Sequence, residues 1–306
     1  MARKFGLHSA MPTAQAVKKC PDLILLPVNM PLYKQVSDQI HQIFRRYTDI
    51  IELLSLDEAY LDVTDSNKCS GSATWIATEI RQAIWQELGL TASAGVAPLK
   101  FLAKIASDIN KPNGQYVIQP HQVEAFLHTL ALAKITGVGK VTNQRLQHLG
   151  LTTCGDVQSA DLALLIRHFG KIGKHIWDFS QGIDERVVIP ERKRKSIGIE
   201  ETLIENIQQF TEGIQVLKRL YPKLQQRIHR AYPEIPLGEF RKLGIKLKFD
   251  DFQVTTLEKS AVAFSEENFI KMLQDIWARG KGRSVRLIGL HTIVPLKQDS
   301  NQMSLW

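Results

Sequence analysis

The sequence predicts a multidomain α+β protein in which two ferredoxin-like βαβ sandwiches flank a helical segment. Three observations carry that expectation. At 306 residues the chain is too long for one small core. Two stretches, near residues 31–96 and 196–294, switch between apolar periods of 3.6 and 2 in the order that split βαβ units need. Between them, residues 120–185 read as helical.

From Pro31 to Arg46, Tyr33, Val36, Ile40, Ile43 and Phe44 recur at helical spacing, as do Ala73, Ile76, Ala77, Ile80, Ile84 and Leu88. Ile50–Leu56 and Tyr60–Val63 read as strands joined by a tight turn, and Thr91–Val96 as a further strand. The order is αββαβ, one strand short at its beginning of the βαββαβ sandwich. The residues ahead of the first helix contain Pro12, Pro21 and Pro27 and only Leu23–Leu26 as an apolar run, too little for a strong central strand.

The second stretch has the complete order: strand Ser196–Leu203, helix Phe210–Ala231, strands Lys242–Phe249 and Phe252–Val262, helix Glu266–Ala278, strand Ser284–Val294. Pro222 is expected to split the first of these helices into two pieces, because proline removes a backbone donor and clashes with the preceding turn. Leu243, Ile245, Leu247 and Phe249 alternate with Lys242, Lys246 and Lys248, so one sheet face is apolar and the other basic.

In the helical segment, Ile135-Thr-Gly-Val-Gly-Lys140 precedes a short helix, the pattern of a helix-hairpin-helix. Gly137 and Gly139 let backbone N–H groups approach a phosphate at the helix start, with Lys140 beside them. A second turn, Phe169-Gly-Lys-Ile-Gly-Lys174, supplies Gly170, Lys171, Gly173 and Lys174 as a second hold on a duplex. Many glycine turns bind nothing, so the pair counts for more than either alone. Arg192-Lys-Arg-Lys195 reads as a solvated linker or as a tether along phosphates.

Lys and Arg number 39 against 31 Asp and Glu, a formal charge of +8, which suits a polyanionic partner such as nucleic acid and equally a solvated basic surface. Cys20, Cys69 and Cys154 are too few and too scattered for a disulfide framework or a zinc site. No apolar run is long enough to span a bilayer and the first residues have no signal core, so a cytoplasmic protein without a membrane partner is expected.

Asp57 and Glu58 would point to opposite faces of a regular strand, but at a hairpin turn both can converge. Two-metal nucleotidyl transfer needs such carboxylates; a solvated acidic turn is the plain alternative. Ser55-Leu-Asp-Glu-Ala-Tyr-Leu-Asp62, Ser93-Ala-Gly-Val-Ala-Pro-Leu-Lys-Phe-Leu-Ala-Lys-Ile-Ala-Ser-Asp108 and Asn110-Lys-Pro-Asn-Gly114 together resemble the long signatures of the Y-family translesion DNA polymerases of bacteria. The resemblance covers nearly the whole chain. It implies template-directed DNA synthesis by a monomer on primer-template DNA with deoxynucleoside triphosphates, and metal ligands for two Mg2+ at Asp57 and Glu58. Arg3, in a stretch similar to the fingers, and Lys111 would grip the triphosphate, a role that suits planar and point cations.

The same resemblance divides the chain into a fingers remnant (1–27), a ferredoxin-like palm (28–119), a helix-hairpin-helix thumb (120–185), a basic linker (186–195), a ferredoxin-like little finger (196–294) and a tail (295–306). Lys246 and Lys248 would face DNA from the little finger. The tail, Gln302-Met-Ser-Leu-Trp306, is similar to the pentapeptide by which such polymerases bind the sliding clamp, with Gln302, Leu305 and Trp306 as anchors.

Complete members of the family begin with a palm strand carrying Asp-x-Asp, which is not found here. The chain is therefore expected to lack a metal carboxylate and to be impaired in synthesis. Two alternatives are a DNA- and clamp-binding module without turnover, and a metal-dependent nuclease that would leave Arg3 and Lys111 without purpose.

Overall fold

The computed structural model describes residues 2–191, 194–261 and 263–295, and the chain forms two compact units, Met1–Arg192 and Lys193–Trp306. The first unit opens with α1 (Thr13–Lys19) and α2 (Met30–Phe44). Helix α2 starts where Asn29 accepts the Leu32 N–H at 3.2 Å, with a proline in the first turn. Strands β1 (Ile51–Leu53) and β2 (Ala59–Leu61) pair antiparallel with Glu52 opposite Tyr60, and both are shorter than their apolar runs suggest. Helix α3 (Ala73–Leu88) is capped by Ser72 and ends at Gly89 in the left-handed region. Its Ile76, Ile80 and Ile84 meet Ile43 of α2 in a small core with Leu61 and Val63 against it.

Strand β3 (Ala94–Val96) does not extend the hairpin sheet, as the αββαβ reading expected. It pairs in parallel with β4 (Gln115–Val117) through the crossover helix α4 (Lys100–Ile109). The expected single palm sheet is thus two separate two-stranded pairs. Gly95 makes β3 fit: a Cβ there would lie 2.1 Å from the Ala103 carbonyl oxygen and 2.3 Å from the Ser107 nitrogen, so only glycine lets the strand lie on α4. Ile24, Leu26 and Val28, in the irregular segment before α2, are 82%, 83% and 72% exposed.

Helices α5 (Val123–Thr129), α6 (Lys140–His148), α7 (Cys154–Gln158), α8 (Leu162–Phe169) and α9 (Lys171–Ser180) follow. Leu127, Leu146, Leu165, Ile176 and Phe179 share one core with Phe101, Leu102, Ile105 and Ala106 of α4, so the boundary expected at residue 119 is no break in packing. Residues 186–189, expected in a free linker, are tied down: the Ile189 N–H donates to Glu52 at 2.9 Å and Lys100 donates to the Val187 carbonyl at 3.0 Å. Arg192 and Lys193 of the basic run lie outside the described residues.

The second unit runs β5 (Ser196–Ile207), α10 (Phe210–Ala231), β6 (Lys242–Phe249), β7 (Val254–Ser260), α11 (Glu266–Trp277) and β8 (Val285–Ile293). The expected βαββαβ order is present, and the antiparallel sheet is ordered β5-β8-β6-β7. Its centre holds the second and fourth strands of the unit, whereas a ferredoxin-like sheet centres the first and third. Pro222 does not divide α10, which continues for 22 residues. Proline forfeits one backbone bond, but Val216, Leu217, Leu220, Leu224 and Ile228 are buried along one side, in one core with Ile245, Leu247, Ile288 and Leu290 of the sheet, and this burial holds the helix through the proline. The three cysteines are free, and no helix among the described residues is long and apolar enough to cross a membrane.

Candidate functional site

The turn between β1 and β2 carries Asp57 and Glu58, both exposed. The Ser55 hydroxyl donates to Asp57 Oδ1 at 2.6 Å, and the Leu54 and Ser55 N–H groups both donate to the Glu58 carbonyl. From behind, buried Ser37 of α2 donates its hydroxyl to the Leu56 carbonyl at 2.6 Å and so fixes the peptide next to Asp57. The ladder places Glu52, Leu54, Glu58 and Tyr60 on one face of the hairpin.

Helix α4 meets that face with cations. Lys104 Nζ donates to Glu58 Oε1 at 2.6 Å, and Lys100 pairs with Glu52 and lies 4.9 Å from the centre of the Tyr60 ring. Lys111, just past α4, pairs with Asp108 at 2.6 Å. That hydrogen bond, with smaller contributions from Glu58 and Asp57, raises its ammonium above the usual lysine range. The structure therefore brings Asp57, Glu58 and Lys111 into one electrostatic neighbourhood and adds Lys104 to it. Arg3 lies exposed in a 3-10 turn, Ala2–Phe5, and forms no ion pair among the described residues; it is not joined to this cluster.

Could the cluster hold two divalent cations by itself? Asp57 and Glu58 are hard oxygen donors of the right kind, but among the described residues there is no group of three His, Cys, Asp or Glu able to hold a metal. Glu58 is also engaged by Lys104. The donor set does not by itself fit a pair of ions.

The helical segment brings its two glycine turns together. His175 Nε2 and the Thr136 carbonyl are 3.3 Å apart, and Arg145 of α6 donates to the His168 carbonyl at 2.6 Å, so each turn is tied to a helix flanking the other. Gly137, at φ +100, needs glycine, and the positions of Gly137, Gly139 and Gly170 open to empty space. Lys140 and Lys171 stand exposed at the first residues of α6 and α9. Gly173 is different from the expectation: it is buried, and a Cβ would lie 2.1 Å from the Leu165 carbonyl oxygen. It is a contact between α8 and α9 rather than a phosphate approach. Lys174 is paired with Asp178 at 2.7 Å.

In the second unit the sheet face away from the helices is mixed rather than uniformly basic. Lys246 pairs with Glu200 at 2.8 Å and His291 Nε2 lies 2.9 Å from Glu258. Lys248 and Arg286 lie 4.7 and 5.2 Å from the ring of exposed Phe252, whose φ of 66 is unusual for a bulky residue. Sequence reasoning missed Glu52, Lys100, Lys104 and Ser37; only the four-residue spacing of the two lysines was a signal. Gln302, Leu305 and Trp306 lie outside the described residues.

Comparison with known proteins identifies the family of the chain. Residues 1–108 match the impB/mucB/samB family, residues 133–184 the thumb domain of DNA polymerase-iota, and residues 194–305 the impB/mucB/samB family C-terminal domain. The chain is 67% identical over 305 residues to a DNA polymerase IV of Mannheimia succiniciproducens, covering 100% of this chain and 86% of that protein. It is 62% identical to a DNA polymerase IV of Pasteurella multocida, covering 100% and 87%, and 55% identical to one of Escherichia coli, covering 99% and 86%. Among solved structures, a Y-family DNA polymerase chimera matches with a TM-score of 0.82 and 32% identity over 96% of this chain and 86% of the other. A DinB family error prone DNA polymerase from Sulfolobus solfataricus matches with 0.63 and 31% over 96% and 89%. The chain belongs to the Y-family DNA polymerases, alongside the bacterial DNA polymerase IV enzymes.

Proposed function

We propose that this chain serves template-directed DNA synthesis past lesions, the addition of a deoxynucleoside triphosphate to a primer 3'-hydroxyl. The observation that carries the reading is the convergence of the Asp57–Glu58 turn with Lys104 and Lys111. Lys111 is the cation for the triphosphate oxygens, and Lys104 adds positive charge where the leaving phosphates accumulate negative charge. Asp57 and Glu58 would contribute carboxylate oxygens to the Mg2+ ions that the family's chemistry uses only together with a further donor. Arg3 is a second triphosphate cation on this reading. The paired glycine turns with Lys140 and Lys171, together with Lys246 and Lys248, hold primer-template DNA by its phosphates, and Gln302, Leu305 and Trp306 dock on the sliding clamp. The protein works as a cytoplasmic monomer.

The incomplete donor set favours a second reading for this chain alone, a module that binds DNA and clamp but extends primers poorly until a further carboxylate is supplied. The exposed Ile24, Leu26 and Val28 support it, since they leave apolar side chains of an irregular segment uncovered. Primer extension by the purified chain with Mg2+ and four deoxynucleotides, beside Asp57→Ala and a binding assay across salt, tests both. The expected result is binding that weakens steeply with salt, with extension that is feeble and lost in Asp57→Ala. Vigorous extension would overturn the impairment, and absence of binding at low salt would overturn the polymerase reading.

A further inference from the structure

Residues 184–189 have no regular secondary structure and a sequence that reads as the start of a loose linker, yet three separate attachments fasten them to the first unit. Asp184, with its side chain 1% exposed, accepts the Phe101 N–H at the start of α4 at 3.0 Å. Lys100 donates to the Val187 carbonyl at 3.0 Å. The Ile189 N–H donates to Glu52 at 2.9 Å. Arg186 closes the set: it pairs with Asp184 through two bonds, at 2.6 and 2.8 Å, and its guanidinium lies 4.9 Å from the Phe179 ring centre. That ring in turn stacks on Phe101 at 4.1 Å.

Two of the three attachments end on one ion pair. Glu52 and Lys100 are 16% and 9% exposed, and each is bonded both to the other and to the strap. Glu52 lies in β1, directly opposite Tyr60 in β2, and the turn these strands close presents Asp57 and Glu58. A solvent-exposed ion pair would contribute little to position. A largely desolvated one with its remaining lone pairs and protons occupied has one geometry, because any other leaves a charge unpaired.

We propose that the strap 184–189 is a clamp on the catalytic hairpin, and that Glu52 and Lys100 are positioning residues which transmit its docking to the Asp57–Glu58 turn. The hairpin has only three residues in each strand and, among the described residues, is paired to no other strand. A two-stranded ribbon of that length is not stable on its own, so its orientation must come from what packs on its faces. Ser37 supports the turn from α2, and the strap with Lys100 supports the ladder from the other end. The catalytic meaning of the clamp rests on the polymerase reading above; the coupling itself does not.

Hydrogen exchange of the full chain separates the two. Asp184→Ala removes an anchor whose hydrogen bonds run to Phe101 and Arg186 and not to the hairpin. It should raise exchange about fivefold or more in both the strap and residues 51–61, with the amides around Leu146, Leu165 and Ile176 unchanged. Glu52→Ala should do the same, whereas Glu52→Gln, which still offers an acceptor to Ile189 but leaves Lys100 without its counter-charge, should fall between the parent and the Ala variant. A strap that opens while the hairpin keeps its protection would sink the proposal, as would a rise spread evenly over the whole unit, or a Gln variant no better than Ala. Each result can be read whether or not the chain extends a primer.

Discussion

Lys100 and Lys104 stand one helical turn apart on α4 and grip two glutamates on the same face of one hairpin, Lys100 holding Glu52 and Lys104 holding Glu58. Their surroundings make them unequal. Lys100 is buried against Tyr60 and the Val187 carbonyl, while Lys104 and Glu58 are 27% and 41% exposed. Lys100→Ala leaves Glu52 as an uncompensated carboxylate and should cost about 3–5 kcal/mol. Lys104→Ala should cost no more than about 1 kcal/mol, because solvent screens the exposed pair. Urea unfolding of the two variants checks the ranking; equal losses would mean that the two pairs share one environment.

The Ser37 hydroxyl is fully committed: it donates to the Leu56 carbonyl and lies 3.3 Å from His41 Nε2. Burial, ahead of the opposing influence of Asp38, holds the His41 imidazole below its usual range, so the contact is with a neutral ring. Ser37→Ala removes the only side-chain donor to that carbonyl among the described residues. The loss should be about 1–3 kcal/mol, and any primer extension should fall further than the population of folded protein does. A thermal melt beside the extension assay separates the two effects.

What was legible in the sequence was what local pattern encodes. The α2 and α3 stripes, the six elements of the second unit and the Asp57–Glu58 turn all follow from apolar spacing or from a short motif. Helix α4 was hidden inside a motif, although Phe101, Leu102, Ile105 and Ala106 have helical spacing. Strand β4 is three residues long and exists because β3 offers it a parallel edge across α4, a relation that no local window contains. The strap has no local signature for the same reason: Asp184, Val187 and Ile189 show no period, and their partners lie about 80 to 140 residues earlier in the chain. Pro222 looks like a break in the sequence because a proline's cost is local and the burial that offsets it is not.

The glycines separate packing from binding. Gly173→Ala and Gly95→Ala each drive a methyl to 2.1 Å from a backbone carbonyl oxygen, Leu165 in one case and Ala103 in the other. Both should destabilise the first unit by about 1–3 kcal/mol or more, since neither backbone oxygen can swing aside. Gly139→Ala meets nothing within 4 Å at an ordinary φ of −79, so the fold should be unchanged and any effect should appear as weaker primer-template binding. Melting curves and a salt-titrated binding assay on the three variants check this. Weakened binding in Gly173→Ala without loss of stability would restore that glycine to the DNA surface.

Acid should open the strap. Burial works against ionisation at both Glu52 and Asp184, but it is outweighed, at Glu52 by Lys100 and the Ile189 N–H and at Asp184 by Arg186 and the Phe101 N–H, so both carboxyls lie below their usual range. A carboxyl whose pKa is depressed in the folded protein contributes stability that is fully present above its unfolded value, about 4, and is lost as pH falls through the depressed one. Exchange at residues 184–189 should therefore be flat from neutral pH down to about 5, after correction for the intrinsic rate, and should rise below about 4. In Glu52→Gln one of the two titrating groups is gone, and the rise should be shallower. A strap whose protection changes between pH 6 and 7 would instead point to a histidine, and neither carboxylate would then be the group that holds it.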